Sequence, residues 1–204
     1  MTMKSLFAGA LIALLALPAA AQNAPEGTPT RIRGTVENLD GQTLKVKSRE
    51  GQELTIALAP NFSVSYLVKK TLGDVKAGDY IAATSLKGTD GKNHAVEVRV
   101  FPEALRGTAE GQFPWDSMPD STMTNATVSG VTGAPQGQTL KVTFKGNESE
   151  IVVDTNTPVF WYGSGDASLL KPGATIFMVA QKKPDGSLSG GRVTAEKDGV
   201  KPPI

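Results

Sequence analysis

Four acids, Glu103, Glu110, Asp116 and Asp120, fall in or beside one stretch of about 24 residues, and carboxylates gathered so closely could offer oxygen ligands to a cation such as Ca²⁺. Their spacing is not that of a calcium loop, which alternates acids around a central Gly and ends on Glu, so solvated loop charges and turn caps are the expected use. Met118 and Met123 could supply soft thioethers to Cu(I), with packing of the stretch as their more ordinary role. His94, in the turn sequence Asp90-Gly-Lys-Asn-His94, is the sole histidine of the chain, and there is no cysteine. The usual transition-metal set and the usual nucleophile relay therefore lack their parts. No Gly-x-Ser-x-Gly elbow and no phosphate-cradling Gly-rich loop followed by Lys-Ser/Thr occurs. Neither a cofactor nor an enzymatic activity is expected.

Three aromatics are the remaining candidates. Trp115 lies between Pro114 and Asp116, and Trp161-Tyr162 precedes the Gly163-Ser-Gly165 turn. Such side chains near loops serve as ligand or interface platforms, and they also plug the ends of small barrels; plugging is the expected role. Lys45, Lys47 and Arg49, with Lys141 and Lys145, lie on the polar face of alternating runs and are followed by Glu50, Glu53, Glu148 and Glu150. Cross-strand charge pairing on a solvated face is the expected result. A nucleic-acid stripe needs unbalanced charge together with aromatics on one face.

The N-terminus has the three parts of a secretory signal peptide: Lys4, an apolar run from Leu6 to Leu17, and small residues at Ala19 and Ala21, with cleavage expected before Gln22. Without residues 1–21 the chain carries 20 basic and 20 acidic residues, since the segment removes one Lys and no acid. A net charge of zero gives no reason to expect nucleic acid or an anionic membrane as partner. No later run is long and apolar enough for a transmembrane helix. A periplasmic or secreted location follows, with stability resting on burial, since no disulfide can form.

The elements that carry these residues come in two copies. Gly41-Gln-Thr-Leu-Lys-Val46 recurs as Gly137-Gln-Thr-Leu-Lys-Val142, and the correspondence continues through Lys76-Ala-Gly78 with Lys171-Pro-Gly173 and Asp90-Gly91 with Asp185-Gly186. Apolar residues alternate at Leu44 and Val46, at Leu54, Ile56 and Leu58, at Val64, Tyr66 and Val68, and at Leu140, Val142 and Phe144, the period of half-buried strands. Asp-Gly pairs mark hairpin turns. Short helical turns are expected only at Thr71–Val75 and Ala167–Leu170. The fold class is all-β: two tandem, OB-like barrels of about six strands, since closure removes exposed edges. The expected organisation is a signal peptide (1–21), a flexible N-terminus (22–30), barrel repeats at 31–101 and 126–196, a Pro/Gly-rich connector at 102–125, and a tail (197–204). The aromatics of the connector argue for ordered packing against the barrels.

The pattern of Gly-Thr-Val, Gly-Gln-Thr-Leu-Lys-Val, Lys-x-Gly and Asp-Gly behind a signal peptide resembles a family of small exported bacterial β-barrel domains classed as a domain of unknown function, in its two-repeat form with a Pro114-Trp115-Asp116 connector. The resemblance implies a fold and a compartment and transfers no catalytic residue. The expected function is a non-enzymatic binding or interaction module with a protein or small-molecule partner. Two rival expectations stand beside it: a metal-handling or enzymatic protein with a site made by the connector acids and Trp115 between the barrels, and a structural envelope component.

Overall fold

Alternation of apolar and polar residues becomes extended chain almost throughout the computed structural model, which describes residues 27–202 apart from Pro135. The expected signal peptide lies outside the described residues. The strands are β1 (Thr28–Asp40), β2 (Thr43–Ser48), β3 (Glu53–Lys70), β4 (Tyr80–Lys87), β5 (Asn93–Val100), β6 (Gly111–Pro114), β7 (Thr122–Ala134), β8 (Gly137–Phe144), β9 (Asn147–Asp154), β10 (Val159–Gly165), β11 (Thr175–Lys182) and β12 (Leu188–Ala195). The protein is all-β; its helical content among the described residues is three single 3₁₀ turns. Two of these, Leu72–Asp74 and Ala167–Leu169, fall where short helical turns were expected. No helix among the described residues is long and apolar enough to cross a membrane.

Strand pairing closes a five-stranded barrel, β12-β11-β1-β2-β3, through parallel pairing of β12 with β3. A second ring of five, β5-β4-β7-β8-β9, returns from β9 to β5 through a short parallel bridge at Asn93↔Ile151 and His94↔Val152. Five strands per ring replace the six expected, because β10 enters neither ring: it lies between β3 and β5 and joins them.

One barrel per sequence unit was the expectation, and the pairing corrects it. The barrel takes β1, β2 and β3 from the N-terminal unit but β11 and β12 from the C-terminal one, and the second ring combines β4 and β5 with β7, β8 and β9. The cause lies in β3. At about 3.3 Å per residue, its 18 residues run some 60 Å, more than one small barrel accommodates. Pairing with β12 is interrupted between Leu58 and Ser63, and Pro60, which has no N–H to donate, falls in that gap. Pairing with β12 resumes at Ser63–Ser65, and from Val64 to Lys70 β3 pairs antiparallel with β10, so that it leaves the first ring only after Ser65. The following strands are thereby delivered to the second ring.

Each ring has its own core. Val36, Leu44, Val46, Ile56, Ile176 and Met178 fill the first, and Ile81, Val98, Val128, Leu140, Val142 and Ile151 the second, all fully buried. Lys45 and Lys141, between the buried residues of the repeated hexapeptide, are exposed, as strand alternation demands. Gly41, at φ 55°, supplies the left-handed residue of the β1–β2 turn.

The registers of the two rings interconvert by fixed offsets. Adding 95 to one number and subtracting 95 from the other turns Ile56↔Leu188 into Ile151↔Asn93, and Val64↔Val193 into Val159↔Val98. Leu67↔Tyr162, at the middle of the β3–β10 pairing, is its own counterpart, so a pseudo-twofold relation passes through it. For β1 and β7 the offset is 92, because the β7–β8 hairpin is four residues longer between Val128↔Val142 than β1–β2 is between Val36↔Val46. Arg33↔Phe177 thus answers to Asn125↔Ala82.

Candidate functional site: a cavity between the rings

The connector is ordered and packed. After the 3₁₀ turn Glu103–Leu105, β6 pairs with β7, and the loop from Trp115 to Ser121 is closed by the Trp115 N–H donating to the Ser121 carbonyl at 2.7 Å. The Ser121 hydroxyl donates to the Met118 carbonyl at 2.7 Å. Residues 122–125, expected as the end of the connector, are in fact the start of β7, pairing with β4 on one side and β6 on the other. Their polar run Thr-Met-Thr-Asn lacks the alternation that marks a half-buried strand, since Met123, Thr124 and Asn125 are all buried.

From that loop Trp115 and Asp116 reach across to the first barrel. The Trp115 ring meets Phe113 and Phe177 edge-on, with centroids 6.1 and 6.2 Å apart. The Arg31 guanidinium lies 4.1 Å from its centroid and that of Arg33 5.3 Å, within cation–π range. Arg33 donates two hydrogen bonds to Asp116, at 3.0 and 2.9 Å, a forked pairing, and Arg31 stands 3.6 Å from the same carboxylate. Partial burial works to raise the Asp116 pKa, but the hydrogen bonds and charge of Arg33, then Arg31, hold it below the ordinary carboxylate value.

Beneath this contact is a cavity of about 640 Å³, with walls from β1, β4, β5, β7, β10, β11 and the connector. Phe101, Phe113, Trp115, Tyr162 and Phe177 line it, five of the chain's twelve aromatic residues. Tyr162 stacks on Phe101 with centroids 5.2 Å apart and rings 13° from parallel. Polar groups converge on the same space. Arg99 is only 5% exposed and donates through Nη1 to the Tyr162 hydroxyl at 3.3 Å. Its Nε is 2.7 Å from Glu97 Oε1, a close ion pair in which neither atom has an aligned hydrogen bond. Burial raises the Glu97 pKa, with Arg99 and then Arg33 acting against the rise. For Arg99 burial opposes the charge, yet Tyr162 and Glu97 carry its pKa above the ordinary arginine value. Asn125 donates to the Thr108 and Ala109 carbonyls at 3.3 and 3.1 Å, while its buried Oδ1 has no donor.

The four candidate acids are not brought together. Glu103 is exposed and paired with Arg106, Glu110 accepts from the Lys145 backbone N–H at 3.0 Å, Asp120 occupies a left-handed turn position at φ 57°, and Asp116 is held by Arg33. Among the described residues no group of three or more His, Cys, Asp or Glu side chains is placed to hold a metal. Met123 lines the cavity and Met118 does not. His94 contacts both oxygens of Asp90 at 3.1 Å in its own turn. Trp161 packs against the second core, whereas Tyr162 faces the cavity. The strand registers set Lys47 opposite Glu53 and Lys141 opposite Glu150.

Arg31, Arg33, Arg99, Asn125, Phe101, Phe113 and Phe177 were not singled out from the sequence. Arg99 falls at a polar position of the alternating run Val96-Glu97-Val98-Arg99-Val100 and so reads as a solvated strand residue. Arg31-Ile32-Arg33 is likewise an alternation, two cations on the strand face opposite an apolar residue. Comparison with known proteins finds no matching family model, no matching curated protein and no matching solved structure.

Proposed function

We propose that this protein is an exported binding module, periplasmic or secreted and without catalytic activity, whose ligand occupies the cavity between the rings. The reading takes the chain as a two-repeat form of the small exported barrel family that it resembles, with a cleaved signal peptide. In its favour are the register offsets, which fit two copies of one unit that have exchanged strands. The observation that carries the binding reading is the cavity itself. Its volume is in the usual range for small-molecule sites, its walls are aromatic, and a few polar groups converge there, the composition such sites share. A metal-handling site built on the connector acids has less support, because those acids point to separate partners. A structural envelope role does not account for buried arginine and asparagine groups around an open space.

Backbone amide shift mapping of the mature protein against a library of small fragments tests this. Shifts clustered on Ala82, Thr108, Phe113, Asn125 and Phe177 are expected; fragments that perturb other surfaces and leave these residues unmoved would remove the reading. Intact mass of the exported protein tests the compartment, with a chain starting at Gln22 as the expected result.

A further inference from the structure

We infer that the ligand of this cavity is a small planar aromatic anion, held with its ring among the aromatic walls and its charge at Arg31. The inference rests on the cavity being a binding site and adds the class of compound that it takes.

Aromatic walls alone fit a cation as well as an anion, since ring faces attract positive charge. Here that position is already filled. Arg31 and Arg33 both lie over Trp115, and Arg33 also lies 5.0 Å from the Phe177 centroid. At Trp115 and Phe177 an incoming cation would have to displace the protein's own guanidiniums. The charge balance points the same way. Three guanidiniums, Arg31, Arg33 and Arg99, face two carboxylates, Asp116 and Glu97, and the forked bond of Arg33 and the close contact of Arg99 use both acids. Arg31 is the surplus, 31% exposed in its side chain and in only a 3.6 Å contact with an acid already engaged.

Arg31 also stands at a junction. A second depression of about 360 Å³ shares Thr30, Arg31 and Asp116 with the cavity and adds Arg49 and Lys182 against Glu50. The open side of Arg31 is therefore positive as well. An anionic group placed there gains a charge-assisted hydrogen bond while its ring stays among the aromatics.

Calorimetric titration of the mature protein with 2-naphthoate, 2-naphthamide, 2-naphthylmethylammonium and cyclohexanecarboxylate tests the inference. Saturable binding of 2-naphthoate at one site is expected, with the amide weaker by about tenfold or more, the size of one charge-assisted hydrogen bond. The cation and the non-aromatic acid should bind more weakly still. Arg31→Gln should weaken 2-naphthoate by about tenfold and leave the amide unchanged. The ranking in the parent protein decides the question by itself, so a variant that failed to fold would leave the test intact. If the amide or the cation bound as tightly as 2-naphthoate, the anion inference would fall and the cavity would remain a binding site. If none of the probes bound while fragment mapping located the cavity, the ligand class would again be wrong and the site right. If no probe bound and no fragment reached the cavity, both would fall.

Discussion

Val36, Leu44, Val46 and Ile56 of the first ring answer to Val128, Leu140, Val142 and Ile151 of the second, and all eight are fully buried. Arg31, Arg33, Phe177 and Val179 answer to Met123, Asn125, Ala82 and Thr84. The first set fills the interiors, where close packing tolerates little change of volume or polarity. The second set, apart from Arg33 and Thr84, lines the space between the rings. Core demands are the same in both rings, and the residue types at these positions are the same. Where the rings face each other no common packing demand exists, and the two sides carry different chemistries: paired arginines and a phenylalanine on one, neutral side chains on the other. The connector follows that difference, setting Trp115 and Asp116 on the arginine side.

The comparison can be broken first at the cores. Leu44→Asp and Leu140→Asp should each cost more than about 4 kcal/mol, because each buries a carboxylate with no partner. In urea the parent should unfold in one transition, since neither ring is complete without strands from both halves of the chain. Two separate transitions would show rings that do not depend on each other. The connector provides the next test. Trp115→Ala should cost about 2 kcal/mol, below the range for a fully buried Trp because this ring is half-buried. Unchanged stability would mean that the arginine side does not hold the connector.

Acid sharpens the same contact. The Asp116 pKa is lowered in the folded protein, so the stabilisation is fully present above the unfolded carboxylate value of about 3.9 and is lost as pH falls through the lower folded value. Asp116→Asn should cost about 1 kcal/mol at pH 7, a modest figure because the carboxylate is partly exposed and screened. The gap between parent and variant in unfolding free energy should close below about pH 4. A gap that stayed constant to pH 2 would assign the loss to something other than charge. The smallest effect is expected at Lys45→Ala and Lys141→Ala, both within about 0.5 kcal/mol, as for exposed strand positions elsewhere.

Much of the local structure was legible. The hexapeptide ending at Val46 and at Val142 announced which leucines turn inward, because alternation assigns faces. The Asp-Gly pairs announced turns, and the hydrophobic cost of a free Trp115 announced a docked connector. Partners were not legible. A strand's side-chain pattern says which face is buried and nothing about which neighbour supplies the next hydrogen bonds, so Leu54, Ile56 and Leu58 read the same whether β12 or a strand of their own unit lies beside them. The cavity was hidden for a related reason. Its walls come from six strands and the connector, and Arg31 and Arg33 read as ordinary polar-face residues until Phe177 and Trp115 are placed against them.

Pairing of strands from both halves of the chain locks the halves together and so creates the space between the rings. Insertion of a protease site after Gly107, in the exposed turn of the connector, followed by cleavage and native mass spectrometry, tests it directly. The two fragments should remain in one complex, since β3–β12, β1–β11, β4–β7 and β5–β9 all cross the cut. Fragments that separated into two folded, monomeric pieces after cleavage would contradict it.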